Sequence, residues 1–371
     1  MKKKVLFLIH DLGQGGAEKV LVSLVNNMDR TKFDITVMSL FGGGVNEQFL
    51  DTKLHYITAF DKVFPGNSHL MKLFTPKQLH KKYIKNNYDI EVSYLEGPCA
   101  RIISGCQNPN TKLVSWIHTR YTDKKGISLS FRNEKEAAEV YNRFDYTAFV
   151  SKDVQNAFCD FLDLQTKKGV LYNTVESDII IQLAKEETEI TFSDDTFNMI
   201  AVGSLKPVKR YDRLLSIAKR LKEERIKAHI YILGIGPLED EFKKYISDNN
   251  IGDYVTLLGY DTNPYKYVSR CDLFVCSSQT EGFSTAATEA LVVGTPVCTT
   301  DVSGMKEMLG DDNQFGVVTE NSEEALYKGI KRLLGNPDLL AHYKKQATYR
   351  GKAFSTKNTV LAVEKTMEGL G

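Results

Sequence analysis

Short apolar runs alternate with amphipathic segments along the whole chain. Residues 4–10 and 113–117 are almost continuously apolar, which is typical of parallel strands that are covered on both faces. Leu21, Leu24 and Met28 recur at helical spacing after the first run and indicate an amphipathic helix. Further runs of this kind predict strands at residues 33–40, 89–95, 146–151, 199–202, 229–233, 255–258 and 272–276, and residues 169–173 close the first half of the chain.

One break in this alternation divides the chain. Residues 176–195 are polar and acidic apart from a short apolar insert at 179–181, and we interpret them as a link. A chain of 371 residues is long enough for two separate cores. We therefore predict an α/β protein with two Rossmann-like domains, divided between residues 175 and 176.

The stretch 271–297 has the most specific pattern. It predicts a buried strand, a polar loop and a helix that begins near Ser284 and ends at Gly294. Glu281 lies in the loop, and Glu289 lies on an apolar helix, where a carboxylate is costly to bury without a partner. Because a helix N-terminus favours anions, a phosphorylated, hydroxyl-rich ligand such as a nucleotide sugar would fit here.

Three further candidates directly follow predicted strands, where ligands gather in open α/β sheets. They are the glycine-rich turn 13–16, His118, and the basic pair Lys209 and Arg210. The turn does not match the dinucleotide-binding pattern. Simpler interpretations stay open for all three: a tight turn, a structural histidine and ordinary surface charge.

The charge is unevenly distributed. Residues 1–175 contain 24 Lys and Arg against 18 Asp and Glu, whereas residues 176–371 contain 24 against 29. Residues 62–88 hold six lysines and no acidic residue, with apolar side chains such as Phe64 and Leu70 among them. Such a segment suits an anionic membrane surface, although a solvated helix face is the simpler interpretation.

Cysteine usage and hydropathy bound the cellular setting. The six cysteines form no C-x-x-C pair, and several lie in apolar runs. This pattern favours reduced, buried thiols in a cytosolic protein. The apolar start of the chain is too short for a signal peptide, and no apolar run approaches the length of a membrane span. We therefore expect any membrane contact to be peripheral.

Four segments together resemble the family-four glycosyltransferases, which have the two-domain GT-B fold, and the resemblance extends over nearly the full length. These segments are residues 13–18, 202–209, 234–238 and 281–297. The last, with Glu281 and Glu289, is similar to that family's E-x7-E element. The resemblance implies two Rossmann-like domains that face each other across a cleft.

The same resemblance implies a division of labour between the domains. Residues 1–175 would bind the acceptor, and residues 176–352 would bind the nucleotide sugar. A C-terminal helix at 358–367, within a segment 353–371, would cross back onto the first domain.

The resemblance also assigns roles to individual residues. Lys209 would stabilise the leaving diphosphate, Glu281 would face the transferred sugar, and His118 would touch that sugar near the reacting carbon. Many members of the family have arginine where this chain has Ser204, and Arg210 could substitute for it. The other donor-binding positions implied are Gly15, Gly16, Gly282, Phe283, Ser284, Thr285 and Glu289, the last on the ribose hydroxyls.

The predicted function is therefore that of a retaining, metal-independent hexosyltransferase. It would move a hexose or N-acetylhexosamine from a nucleotide-diphosphate sugar, with a UDP-sugar favoured, to a lipid-linked saccharide or glycolipid in surface polysaccharide or capsule synthesis. No cofactor, metal or nucleic-acid partner is expected, and the chain has no D-x-D pair. We expect a cytoplasmic protein at the inner face of the cell membrane, with peripheral contact through residues 62–88.

Alternatives remain for the mechanism and for the function. Front-face transfer, in which a phosphate oxygen takes the acceptor proton, is favoured over a covalent intermediate because no carboxylate nucleophile is evident beside His118. The departure at Ser204 leaves room for a non-catalytic nucleotide-sugar-binding subunit of a transferase complex. An epimerase of the same fold is a weaker alternative.

Overall fold

The computed structural model describes residues 2–62 and 71–370. The chain divides into two compact units: residues up to Thr174 together with those from Thr356 onward, and Val175–Ser355. The division thus falls at Thr174 and Thr356, against the predicted positions 175 and 353. We call these the first and the second unit.

The first unit contains a parallel sheet of seven strands within the described residues. The spatial order is β3-β2-β1-β4-β5-β6-β7, and every neighbouring pair is parallel. The strands are β1 Lys3–Ile9, β2 Phe33–Phe41, β3 His55–Phe60, β4 Ile90–Ser93, β5 Lys112–Ile117, β6 Tyr146–Phe149 and β7 Lys167–Val170. The helices are α1 Gly16–Asn27, α2 Pro76–Tyr83, α3 Pro98–Ile103, α4 Lys124–Ser128, α5 Glu134–Tyr141 and α6 Lys152–Phe161.

The second unit repeats this plan with a six-stranded parallel sheet in the order β10-β9-β8-β11-β12-β13. Its strands are β8 Phe197–Val202, β9 Ala228–Leu233, β10 Val255–Gly259, β11 Leu273–Cys276, β12 Val297–Thr300 and β13 Val317–Thr319. Its helices are α7 Ser177–Leu183, α8 Tyr211–Glu223, α9 Glu239–Asp248, α10 Tyr265–Val268, α11 Thr285–Val292, α12 Met305–Leu309, α13 Glu323–Leu334 and α14 Pro337–Gly351.

Both sheets have helices on their two faces, so their central strands are buried. In β1, the five residues from Val5 to Ile9 have no exposed surface. In the second unit one apolar cluster joins β8, β9 and β11 to α8 and α13. The prediction of an α/β protein with two Rossmann-like domains is confirmed by these two parallel sheets.

One interpretation of the connections was wrong, and one strand was missed. The predicted link 176–195 includes α7, which belongs to the second unit because Ile180 is buried against Val175 and Tyr265. Strand β3 was not predicted. It lies at the edge of its sheet, and most of its side chains are exposed or half-buried, so it lacks the apolar run that identified the central strands.

The C-terminal helix α15, Thr356–Glu368, belongs to the first unit, as predicted. Its Glu364 side chain is 6% exposed, and one carboxylate oxygen accepts a hydrogen bond from the Asp29 backbone amide at 2.6 Å. The Lys3 ammonium donates to the backbone oxygen of Met367 at 3.2 Å. These contacts fasten the last helix beside α1 and β1.

We predict that Glu364→Ala lowers the free energy of unfolding by about 1–3 kcal/mol, because it leaves the Asp29 amide without its acceptor. Glu364→Gln keeps an acceptor oxygen and should cost less. The control is Glu368→Ala, which removes an exposed ion pair with Lys32 and should change stability little. Urea unfolding followed by circular dichroism measures all three; equal losses for Glu364→Ala and Glu368→Ala would refute the role of Glu364.

Candidate active site

The strand order of each sheet reverses at one point, between β1 and β4 in the first unit and between β8 and β11 in the second. Neighbouring connections leave in opposite directions there and open a crevice at the carboxyl ends of the strands. The loops after β8 and β11 contain Lys209 and Glu281. The loops after β1, β4 and β5 contain the glycine turn, Glu96 and His118.

In the second unit, Lys209 and Glu281 form an ion pair, although 72 positions separate them in sequence. The Lys209 ammonium lies 2.7 Å from a carboxylate oxygen of Glu281, and both side chains are mostly buried. The Ser278 hydroxyl donates to the same oxygen at 2.7 Å. Both members of the pair line a small cavity with Cys276 and Ser284.

The ion pair keeps Lys209 charged. Burial by itself would lower the pKa of the Lys209 ammonium, but the charge of Glu281 and its hydrogen bond outweigh this effect and raise the pKa above the usual value. At neutral pH the loop therefore presents a fixed positive charge. A diphosphate that displaced Glu281 could take this ammonium as its partner.

Two hydrogen bonds to backbone carbonyl oxygens join the two loops to each other. The Ser277 hydroxyl donates to the carbonyl oxygen of Lys209 at 2.8 Å, and the Gln279 amide donates to the carbonyl oxygen of Val208 at 2.8 Å. The ion pair therefore sits between two loops that are already joined.

Gly234 and Gly236 allow the loop after β9 to pack closely against the Lys209 loop. Gly234 follows β9 and has φ of 149°, and a Cβ atom there would lie 2.0 Å from the carbonyl oxygen of Gly203. A Cβ atom at Gly236 would lie 2.6 Å from the carbonyl oxygen of Leu205. No side chain fits at either place, so the glycines at 234–236 support the Lys209 loop through close backbone packing.

Helix α11 begins where the Glu281 loop ends. The Ser284 hydroxyl caps it by accepting from the Ala287 amide at 3.4 Å. The Phe283 ring is buried and packs against Phe354 with ring centroids 5.7 Å apart, so Phe283 can offer a ligand only its backbone. Gly282 and Thr285 are half-buried on either side of the capped position.

Glu289 has a partner within the protein. Glu289 is 7% exposed, and one of its carboxylate oxygens accepts a hydrogen bond from the Tyr265 hydroxyl at 3.1 Å. This contact helps to offset the cost of a carboxylate on an apolar helix. Tyr265 was missed in the sequence because no local pattern relates α10 to α11.

In the structure Arg210 forms an ion pair with a neighbouring carboxylate. Its guanidinium binds the carboxylate of Asp212 through three contacts of 2.8–3.1 Å. Its backbone is left-handed, with φ of 51°, at the junction between the Lys209 loop and α8. Ser204 is half-buried in the same loop, and its carbonyl oxygen accepts from the Lys206 amide. The idea that Arg210 replaces an arginine at position 204 therefore stays a prediction.

In the first unit, His118 lies against two aromatic rings. Its ring centroid is 4.8 Å from that of Tyr94 and 6.2 Å from that of Trp116. Burial lowers the pKa of His118 to about 3, against the weaker effect of a hydrogen bond to the Tyr94 backbone. Among the described residues, none lies within hydrogen-bond distance of its buried Nε2 atom. The nitrogen of this neutral ring can accept a hydrogen bond from a hydroxyl group, which would reach the buried atom only after a local rearrangement.

Glu96 was missed in the sequence, although it also follows a strand end. One of its carboxylate oxygens accepts from the backbone amides of His118 and Thr119 at 2.6 and 2.7 Å. Burial raises its pKa, while these amides oppose the shift. Glu96 thereby fixes the loop in which His118 lies, and its position after β4 was the signal that could have identified it.

The glycine turn opens α1. The Asp11 carboxylate accepts from the Gly13 amide at 2.8 Å, and the Asn46 side chain binds the carbonyl oxygen of Gly13. Gly15 caps α1 without a side chain, Gly16 is its first residue, and the Glu18 carboxylate lies directly against Gly15. An anion at this turn would have to move Glu18 aside.

We predict that His118 makes the protein less stable in mild acid. Its folded-state pKa is lowered, so between pH 6.5 and about 3 only the unfolded chain takes up its proton, and stability falls as the pH falls. The loss is at most about 1.4 kcal/mol per pH unit. His118→Gln should flatten the stability profile between pH 6.5 and 4.5, whereas His55→Gln, at an exposed position, should not. Identical slopes for the wild-type protein and His118→Gln would contradict the neutral histidine.

The described part of the chain contains no helix that is long and apolar enough to cross a membrane. Its six cysteines, all described, are free.

Comparison with known families gives two matches that together account for most of the chain. Residues 14–178 match the model described as Glycosyltransferase Family 4, and residues 184–350 match the model described as Glycosyl transferases group 1. The two matches correspond to the two units.

Similar proteins include an N-acetylgalactosamine-N,N'-diacetylbacillosaminyl-diphospho-undecaprenol 4-alpha-N-acetylgalactosaminyltransferase of Campylobacter jejuni. It is 29% identical over 95% of this chain and 96% of its own length. An uncharacterized glycosyltransferase of Haemophilus influenzae is 23% identical over 91% and 92% of the two chains.

Solved structures of similar fold include Anabaena HepE in complex with UDP and glucose. It superposes with a TM-score of 0.75 at 17% sequence identity and covers 99% of both chains. A glycosyltransferase from Rickettsia africae has a TM-score of 0.76 at 16% identity over 100% and 98% of the two chains. With two parallel-sheet units and both family matches, the chain belongs to the family-four glycosyltransferases of the GT-B fold.

Proposed function

We propose that this glycosyltransferase is a retaining enzyme that uses a UDP-sugar and a lipid-linked saccharide or glycolipid acceptor in surface polysaccharide synthesis. The transferred group is a hexose or an N-acetylhexosamine. The observation that carries this proposal is the Lys209–Glu281 ion pair beside the N-terminus of α11. It places a buried ammonium next to a carboxylate that can bind sugar hydroxyls, at the carboxyl edge of a parallel sheet.

Lys209 meets the charge of the departing diphosphate. In the ligand-free protein its ammonium is bound by Glu281, and a diphosphate beside it would compete for the same protons. Glu281 would keep its hydrogen bond from the Ser278 hydroxyl and could accept a further hydrogen bond from a sugar hydroxyl. The fixed ammonium and the amides at the start of α11 then stabilise the transition state, in which negative charge grows on the phosphate.

The transfer step proceeds on one face of the sugar. The bond between the anomeric carbon and the phosphate oxygen breaks, and a bond from that carbon to the acceptor oxygen forms on the same face. The acceptor proton passes to the departing phosphate oxygen. His118, neutral at physiological pH, binds a hydroxyl of the transferred sugar through its free Nε2 atom, and Glu289 binds the ribose hydroxyls while Tyr265 holds its carboxylate.

The choice of donor and acceptor is supported by the similar proteins. HepE was solved with UDP and glucose, and the Campylobacter transferase is named for a diphospho-undecaprenol acceptor and an alpha linkage. An alpha product is what a retaining enzyme forms from an alpha-linked nucleotide sugar.

Lys209→Met should lower kcat about 10²- to 10³-fold, the usual cost of removing one preorganised group that stabilises developing charge. Lys206→Met is the matched control, because Lys206 is an exposed lysine of the same loop and should leave kcat unchanged. Initial rates of UDP release from a panel of UDP-sugars, with a short-chain lipid-diphosphate saccharide as acceptor, measure both variants.

Equal loss of activity in the two variants would refute the specific role of Lys209. If the wild-type protein binds a UDP-sugar by calorimetry but turns over none of the panel, the non-catalytic subunit is the better description.

The lipid-linked acceptor leads us to propose that the protein docks on an anionic membrane surface. The described part of the basic segment is Lys62 and residues 71–88, whereas Phe64 and Leu70 lie outside the described residues. Four exposed lysines lie on or just after α2: Lys77, Lys81, Lys82 and Lys85. Leu73 and Leu129 are 72% and 67% exposed. Exposed leucines in a basic surface suit the interface of an anionic bilayer.

Two arginines hold the backbone around Leu73 in place. The fully buried Arg101 guanidinium donates to the carbonyl oxygens of Met71 and Phe74 at 2.9 and 3.0 Å. Arg132 donates to the carbonyl oxygens of Lys72 and Leu73 at 2.7 and 3.3 Å, and Leu129 lies three residues before it. The backbone that carries the exposed side chains is therefore already fixed. Membrane binding would cost little backbone conformational entropy.

Replacing Lys77, Lys81, Lys82 and Lys85 with serine should weaken binding to anionic vesicles at least about tenfold, since each lysine near such a surface contributes about 1 kcal/mol. The control replaces four exposed lysines of the second unit, Lys219, Lys227, Lys244 and Lys345. Cosedimentation with phosphatidylglycerol vesicles at low salt measures both. Unchanged binding of the first variant, or an equal loss in the control, would show that this surface is not the docking site.

A further inference from the structure

A cluster of three metal-binding side chains lies in the first unit, apart from the residues proposed to bind the sugar. One ligand atom each from His80, Glu91 and Cys106 lies within 4.8 Å of the other two. The His80 Nε2 atom is 2.8 Å from a carboxylate oxygen of Glu91. Imidazole, carboxylate and thiolate are all common ligands of Zn²⁺.

Three separate elements bring these side chains together. His80 lies on α2, Glu91 on β4, and Cys106 in the turn after α3. The close approach of α2 to that turn depends on Gly105, where a Cβ atom would lie 2.0 Å from the carbonyl oxygen of Pro76 and 2.8 Å from the His80 Cβ atom. The folded backbone thus forms the cluster without a metal.

Two of the three side chains in the cluster are buried. Glu91 and Cys106 are 2% and 4% exposed, so the carboxylate and the sulfur are shielded from water. The His80 side chain is 15% exposed, so a metal ion from solvent could reach the cluster at this residue. A buried carboxylate on a central strand is costly, and His80 is its partner in the cluster within the described residues.

The cluster is separate from the His118 region. Side chains alternate between the two faces of a strand, and Tyr94, three positions after Glu91, lies with His118 on one face of the sheet. Glu91 therefore points to the opposite face, toward α2. A metal there would not touch the proposed donor site.

We propose that His80, Glu91 and Cys106 bind one Zn²⁺ ion in a three-ligand site that fastens α2 to the sheet. The Cys106 thiol would lose its proton to solvent and bind as thiolate. A water molecule would supply the fourth ligand of a tetrahedral ion. The ligands need to close by only a small amount, because ligand bonds of about 2.0–2.3 Å set the ligand atoms of a tetrahedral zinc about 3–4 Å apart.

Cobalt substitution tests this site, since a cobalt–thiolate bond gives a near-ultraviolet charge-transfer absorption. The protein is stripped with a chelator and titrated with Co²⁺ under reducing, oxygen-free conditions. We expect saturation at one equivalent with that absorption. Cys106→Ser should lose it, and Cys298→Ser, at a buried cysteine of the second unit, should keep it. No absorption in the wild-type protein, or an unchanged absorption in Cys106→Ser, would overturn the proposal.

A second variant, His80→Gln, tests the site independently if Cys106→Ser does not fold. His80→Gln keeps an amide that can donate to Glu91, so circular dichroism should show an intact fold. Because loss of an outer partner of a metal ligand alone costs about 10–100-fold in affinity, loss of the His80 ligand should weaken Zn²⁺ binding at least about a hundredfold. Zinc should also raise the Tm of the wild-type protein and not that of His80→Gln. Equal zinc affinity in the two proteins would exclude His80 as a ligand and with it the site.

Discussion

The ion pair between Lys209 and Glu281 depends on the constraint that orders the second unit. Parallel strands all end at the same edge, so loops that are far apart in sequence meet there. A buried ion pair contributes little net stability, because the cost of removing two charges from water offsets most of their attraction. What this pair provides is a charge at a fixed place, held by Ser278 and by the hydrogen bonds between the two loops.

The first unit follows the same plan with different chemistry. Its strand-end residue His118 is kept neutral by burial against aromatic rings, and a buried carboxylate, Glu96, holds the loop through backbone amides. The crevice of the second unit thus holds a charged lysine, whereas that of the first unit holds a neutral histidine. The division between a donor-binding and an acceptor-binding domain, which the resemblance implies, stays a prediction.

The sequence predicted the central strands well because they are buried on both faces and read as apolar runs. The helix start at Ser284 was equally clear, since a capping side chain acts within one turn. The edge strand β3 gave no such signal, because its side chains face water on much of their surface. Helix α7 was hidden in a polar segment, and Ile180 becomes buried only through contacts with residues far along the chain.

Partners distant in sequence were the part that could not be predicted. Lys209 and Glu281 were each identified as candidates, but nothing in either loop indicates that they bind each other. The same is true of Tyr265 with Glu289, which lies 24 positions further along the chain. Glu96 is a different case, because its position after β4 fits the rule that identified His118.

A crystal structure of this protein in complex with UDP would test the central claim most directly. The account predicts that a diphosphate oxygen lies within hydrogen-bond distance of the Lys209 ammonium, that the Lys209–Glu281 contact lengthens, and that the ribose hydroxyls bind Glu289. A nucleotide bound elsewhere, with the ion pair still closed at 2.7 Å, would contradict it.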